Sequence, residues 1–237
     1  MVYYPAMMYR NRQASQLFLS AWDRLLDLLY PPRCGGCDRR GTLFCDACLL
    51  AVTVPIFDRE DVAGVGLLIS AGTFDGPLRT AIHNFKYESD TPLAKPLAQV
   101  LSNVLARDES AELDGDPLAL VPVPLHIERR KARGYNQSEL LARELSKLTG
   151  WGVMKGLERV RETRSQVGLS AQERRENMQG AFAWRGDVVP QRVLLIDDVC
   201  TSGATLSECA IALQKAGVEE VYAATVAKAI NAQIDIS

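Results

Sequence analysis

The sequence predicts an α/β fold in which helices flank a mostly parallel sheet, preceded by a small cysteine-bearing module. Three observations carry that expectation. From residue 62 onward, short apolar runs alternate with amphipathic helical stripes, the sequence form of strands joined by crossover helices. One run, Val193, Leu194, Leu195 and Ile196, carries no charge and leads straight into two acids and a turn of small residues. Four of the six cysteines, Cys34, Cys37, Cys45 and Cys48, crowd into one short segment.

With 237 residues, 47% of them hydrophobic and 24% charged, the chain can bury one full core and carry one small accessory module. No stretch approaches the roughly 20 uninterrupted apolar residues that span a bilayer, and residues 1–12 lack the apolar core of a secretory signal. A soluble cytoplasmic protein without a transmembrane segment is expected. The net charge of -2 excludes a protein that is basic throughout, yet residues 126–176 hold 12 Lys and Arg against 7 Asp and Glu. A multiply anionic ligand would gather at that segment.

Taken in order, Phe18, Trp22, Leu25, Leu26 and Leu29 form one apolar helical stripe in residues 1–30, ended by Pro31 and Pro32. The cysteine module occupies residues 31–55, and a linker is expected over 54–61. The remainder, residues 60–237, reads as the sheet domain. Residues 65–71 predict its first strand. Leu78, Ile82 and Phe85 predict one helix, and Leu93, Leu97, Val100, Leu101, Val104 and Leu105 a second. Residues 107–117 read as a polar connection and 118–121 as a strand. After a basic loop, Asn136 with Glu139 offers a capping box for a helix that buries Leu141, Leu145 and Leu148. Weaker strands are expected at 152–154 and 181–184. The strand at 193–196 is followed by a helix lined by Leu206, Ala210 and Leu213, and 220–226 is the last strand.

The chemistry is expected where the 193–196 strand ends. Ligands of open parallel sheets bind outside the carboxyl ends of the strands, which is where Asp197 and Asp198 fall. Thr201, Ser202, Gly203, Ala204 and Thr205 then offer hydroxyls and backbone amides at a helix start, an anion site. No lysine follows Gly203 closely, which separates the turn from a Walker-type nucleotide loop. Two carboxylates beside a phosphate cradle suit a sugar phosphate, the acids holding hydroxyls and the turn the phosphate. A strand end and a helix start that are merely capped would need less than this.

The segment from Val193 to Thr205 resembles the phosphoribosyl-diphosphate-binding motif of type I phosphoribosyltransferases, and residues 17–228 resemble the ComF family, also called the GntX group. The resemblance implies a type I phosphoribosyltransferase-like sheet, with Asp197 and Asp198 on the ribose 2′ and 3′ hydroxyls, residues 201–205 on the 5′-phosphate, and Mg²⁺ accompanying the diphosphate. Val121-Pro122-Val123-Pro124 running into Arg129, Arg130, Lys131 and Arg133 looks like the family's diphosphate loop. A solvated basic turn is the plainer reading of the same residues. Residues 161–169 stand where related transferases carry a mobile loop, which would bring Arg161, Arg164 and Gln166 over the site, Arg164 against the departing diphosphate; an ordinary surface loop is the other reading. Lys86 matches a recurrent ComF position whose role the sequence leaves open.

The spacing Cys34-x2-Cys37-x7-Cys45-x2-Cys48 supplies two thiolate pairs for a closed tetrahedral zinc site, with Gly35 and Gly36 easing the first knuckle. Two disulfides are the alternative, disfavoured in a reducing cytoplasm. Zinc filling all four positions with protein ligands is structural. Cys200 and Cys209 stand apart, and neither His83 nor His126 marks a nucleophile beside them in sequence.

Two functions follow. In one, a nitrogen nucleophile displaces diphosphate from C1 of phosphoribosyl diphosphate, an enzyme whose acceptor the sequence does not name. In the other, the resemblance to ComF proteins, which are linked to natural transformation and uptake of single-stranded DNA, implies a non-catalytic competence-type protein that binds single-stranded DNA or DNA-uptake partners through its basic middle segment. Few aromatics stand ready to stack bases there, Tyr135 and Trp151 being the main ones.

Overall fold

The computed structural model describes residues 31–52, 54–88, 90–115, 118–161 and 171–230. The stripe expected in residues 1–30 lies outside them. In chain order the elements are α1 (Asp46–Leu50), β1 (Ile56–Asp58), β2 (Leu68–Ser70), α2 (Gly76–Tyr87), α3 (Ala94–Leu105), β3 (Ala119–Pro122), α4 (Ile127–Arg133), α5 (Gln137–Thr149), β4 (Leu157–Arg159), α6 (Ala171–Met178), β5 (Phe182–Trp184), β6 (Arg192–Cys200), α7 (Ala204–Ala216) and β7 (Glu220–Lys228). The main sheet runs β1-β2-β7-β6-β3, parallel except for β1, which pairs antiparallel to β2.

The core follows from strand alternation. On β6, Leu194 and Ile196 face one side with α2, α3 and α5, while Val193 and Leu195 face the other with α7. Both faces are covered, so the strand reads as an unbroken apolar run. On the first side, Ile82, Phe85, Leu97, Leu101, Leu141 and Leu145 are fully buried. At roughly 25 cal/mol per Å² of apolar area removed from water, this two-sided burial is the main force holding the sheet.

Several expectations are corrected. The expected linker contains β1, a three-residue strand whose half-buried side chains give only a weak signal. The basic loop is the helix α4, capped at its start by His126 Nδ1, which accepts from the amide of Glu128 at 3.3 Å, and stopped by Gly134 in the left-handed region at φ 80°. The polar connection holds a 3₁₀ turn, Asp108–Leu113, that buries Ser110 and Leu113. Leu148 is 45% exposed and lies off the buried face of α5. Residues 152–154 contribute one bridge, Leu120 to Val153, and no strand. Instead of joining the main sheet, residues 182–184 pair antiparallel with β4 in a separate ribbon.

Candidate functional site

β6 outruns its neighbour, and that opens the crevice. Pro122, the last residue of β3, lies opposite Ile196, and the amide of Val123 makes one further bond to the Ile196 carbonyl at 3.0 Å. From Asp197 onward this side of β6 faces the start of α5. Asn136 pins that start, accepting from the Ser138 amide at 3.1 Å while its Nδ2 donates to the Val123 carbonyl at 3.0 Å. Glu139 does other work than a capping box, directing its carboxylate to Lys155 and Arg143, each at 2.7 Å.

The two acids are held differently. Asp197 Oδ1 accepts from the Ser138 hydroxyl and from the Asp198 amide, both at 2.9 Å. Asp198 is 7% exposed and sits 2.7 Å from Lys86 Nζ. Burial and then the adjacent Asp198 charge push the Asp197 carboxyl up to about 7, against the opposing pull of Lys86 and the two donors. One carboxylate is thus paired with a lysine, and the other holds its proton up to about neutral pH.

After β6, Gly203 turns the chain at φ 72°, and a Cβ there would lie 2.7 Å from Val62 Cγ2. Gly203 is also the N-cap of α7 and supplies no side chain to it, so the amides at the helix start keep their partial positive charge for an anion. Thr201, Ser202 and Thr205 are half-buried around this turn, and Ala204 is buried.

Lys86 also lines a cleft of about 270 Å³ with Tyr87, Arg129, Ala132 and Arg133. The Arg133 guanidinium stands 4.8 Å from the Tyr87 ring centre, a cation–π contact that fixes its place. The fold therefore joins Lys86, Arg129 and Arg133 to the acid pair through one lysine. Arg130 is separate, 3.9 Å from Glu139 and largely exposed. Arg161 donates to the carbonyls of Asn177 and Gln179 at 2.8 and 2.7 Å, while Arg164 and Gln166 lie outside the described residues. A larger open groove of about 560 Å³, lined by Thr91, Leu140, Arg143 and Lys147 among others, contains none of these groups.

Sequence reasoning missed Ser138, Tyr87 and Val62. The Asn136 cap was the only signal that could have found Ser138, since a pinned helix start fixes its first turn. Neither downstream cysteine is set up as a nucleophile. Burial pushes the Cys200 thiol up to about 11, partly offset by Lys228, and burial raises Cys209 well above its ordinary value.

The cysteine module forms a candidate metal centre. Cys34 and Cys48 have sulfurs 3.6 Å apart, as do Cys37 and Cys45, and all four sulfurs lie within 4.8 Å of one another. Tetrahedral ligation with bonds of about 2.3 Å spaces sulfurs by about 3.8 Å, so the cage fits a metal ion. The first knuckle is closed by the amides of Cys37 and Asp38, which donate to the Cys34 carbonyl at 3.3 and 2.8 Å, and the Cys45 amide donates to Cys34 Sγ at 3.3 Å. Gly36 is required, since a Cβ there would lie 3.0 Å from Cys48 Sγ.

The Phosphoribosyl transferase domain model matches residues 91–236, which takes in β6, the turn after it and the basic helix. Competence protein F of Haemophilus influenzae is 34% identical over 166 residues, 68% of this chain and 72% of that protein. The chain belongs to the ComF family. Within it, DNA utilization protein YhgH of Salmonella typhimurium is 33% identical over 193 residues, 80% of each chain. Competence protein ComFC of Streptococcus pneumoniae is 29% identical over 149 residues, 63% of this chain and 62% of that one. The parallel-dominated sheet is the ComF chain's phosphoribosyltransferase-like fold, and the four-cysteine cluster ahead of it is placed to hold a metal ion. No described helix of this ComF protein is long and apolar enough to cross a membrane.

Proposed function

We propose that this ComF protein binds the magnesium complex of phosphoribosyl diphosphate at the end of β6 and transfers the phosphoribosyl group to a nitrogen acceptor. The observation that carries this reading is the placement of Asp197 and Asp198 between an uncapped helix start and a cleft lined by Lys86, Arg129 and Arg133. Each part of the ligand then has a partner. Asp197 and Asp198 accept from the ribose 2′ and 3′ hydroxyls, Thr201 to Thr205 cradle the 5′-phosphate, and the cleft takes the diphosphate.

The nucleophile's lone pair forms the new bond to C1 as the C1–O bond breaks, and the electron pair leaves with the diphosphate. Lys86, Arg129 and Arg133 stabilise that developing charge, and the acids hold the cationic sugar in line. Asp198 is paired with Lys86, while the raised Asp197 suits a group that gives up its proton as hydroxyl donors and metal charge arrive. When bound, Mg²⁺ neutralises diphosphate charge; it arrives with the ligand and is held mainly by it. Four thiolates in a closed cage suit Zn²⁺ in a structural role, and thiolates kept for metal suit a reducing cytoplasm.

A second reading keeps the site as a sensor or docking point in a non-catalytic protein that handles single-stranded DNA during uptake. The names of the relatives, competence and DNA utilization proteins, favour it, as do the exposed Arg129, Arg130 and Lys131 on α4. A diphosphate-release assay with Mg²⁺, phosphoribosyl diphosphate and a panel of bases and amines decides between them. Release with one acceptor supports the transferase; binding without release across the panel supports the sensor.

A further inference from the structure

The cysteine module is clamped onto α2. A Cβ on Gly35 would lie 2.7 Å from Leu93 Cδ2, and one on Gly36 would lie 2.9 Å from the Cβ of Pro77 at the start of α2. Backbone this close to the sheet domain leaves no slack for the knuckle to move alone. The carbonyl of Gly35, between the first two cysteines, accepts from Asn84 Nδ2 at 3.0 Å. Two residues further along the same helix, Lys86 places Nζ 2.7 Å from Asp198. Phe85, between them, is fully buried, and its carbonyl accepts from the Tyr135 hydroxyl in the turn joining α4 to α5. The last turn of α2 is thus held by the knuckle on one side and by the basic helix's turn on the other, and it carries the lysine that meets the acid pair.

We infer that Asn84 is a positioning residue through which the metal-holding knuckle sets Lys86 against Asp198, so that anion affinity depends on the state of the cysteine cluster. The four sulfurs lie within 4.8 Å of one another, so one metal ion ties the first knuckle to the second, and its loss removes those bonds. Losing the metal therefore releases the first knuckle and, with it, the orientation of the Gly35 carbonyl. A helix moves as a unit, so freeing one contact in its final turn displaces the residues beside it. The ligand arm of the inference rests on the proposed phosphoribosyl diphosphate site; the placement of Lys86 does not.

The test uses the full chain with its metal. Asn84→Ala leaves all four cysteines and is expected to keep one metal ion per chain. Lys86 should then react about fivefold faster with an amine-acylating ester, read at that residue by mass spectrometry against the exposed Lys95 on α3, the loss expected for one hydrogen bond. The dissociation constant for Mg-phosphoribosyl diphosphate should rise by a similar factor. Stripping metal from the unaltered chain with a chelator should quicken Lys86 in the same way, an independent route should Asn84→Ala not fold. Unchanged Lys86 reactivity in both arms overturns the inference. So does loss of metal from Asn84→Ala, because the contact would then serve the module and not Lys86. If Lys86 responds while the unaltered chain binds no phosphoribosyl diphosphate, the coupling stands and the proposed ligand falls.

Discussion

At Asp197 a carboxyl is held between the Ser138 hydroxyl and its neighbour's amide in a place where burial and Asp198 both disfavour its charge. Its folded pKa of about 7 lies above the ordinary 3.8, so the native state holds a proton that the unfolded chain has lost. Stability from this group is complete below about pH 4 and falls as pH rises toward about 7. Asp197→Asn, which can still accept both hydrogen bonds, should remove that slope. Thermal unfolding of the ligand-free protein should show the variant more stable than the parent at pH 8 and equal to it near pH 4. Lys86 is the opposite case, for it offsets a carboxylate that is 7% exposed. Lys86→Ala strands that charge and should cost about 3 kcal/mol, and adding Asp198→Asn should recover most of it. Equal denaturation midpoints for the single and double variants would contradict this account of the pair.

The elements differ in how plainly they were written. β6 was legible because a strand buried on both faces must be apolar at every position, and its acids and small-residue turn follow without a break. α4 was not, because a seven-residue helix with no buried side chain leaves no apolar stripe, only the charges of a loop. β1 was missed for a similar reason, and Lys86 could be placed only once α2 was packed. The turn after β6 makes a prediction of its own. Gly203→Ala forces a left-handed φ on a residue with a side chain and drives its Cβ into Val62, so it should destabilise by about 2 kcal/mol. Val62→Ala in the same chain should return the steric part and leave the backbone part, read by chemical denaturation. In the cysteine module, elemental analysis should find one zinc per chain. Cys34→Ser should lose it, since the metal supplies on the order of 10 kcal/mol to a segment too short to have a core of its own.

Across the whole molecule, the fold collects Asp197, Asp198, Lys86, Arg129 and Arg133 at one end of β6, and both functional readings want the same arginines. Changing Arg129, Arg130 and Arg133 together to Ala separates them. A loop serving diphosphate should lose far more affinity for phosphoribosyl diphosphate than for single-stranded DNA. One serving DNA should show a salt slope reduced by about 0.7 per lost phosphate contact, roughly two units in all. The first outcome is expected, because Arg129 and Arg133 share a cleft with Lys86, while Arg130 alone turns toward Glu139. The most direct measurement is calorimetric titration of Mg-phosphoribosyl diphosphate into the parent chain and into the Asp197→Asn, Asp198→Asn double variant. The account predicts one saturable site per chain in the parent and an affinity lower by at least about a hundredfold in the double variant, from two charge-assisted hydrogen bonds of roughly 1.5–3 kcal/mol each. Equal affinity in a double variant that remains folded would contradict it and move the site away from the end of β6.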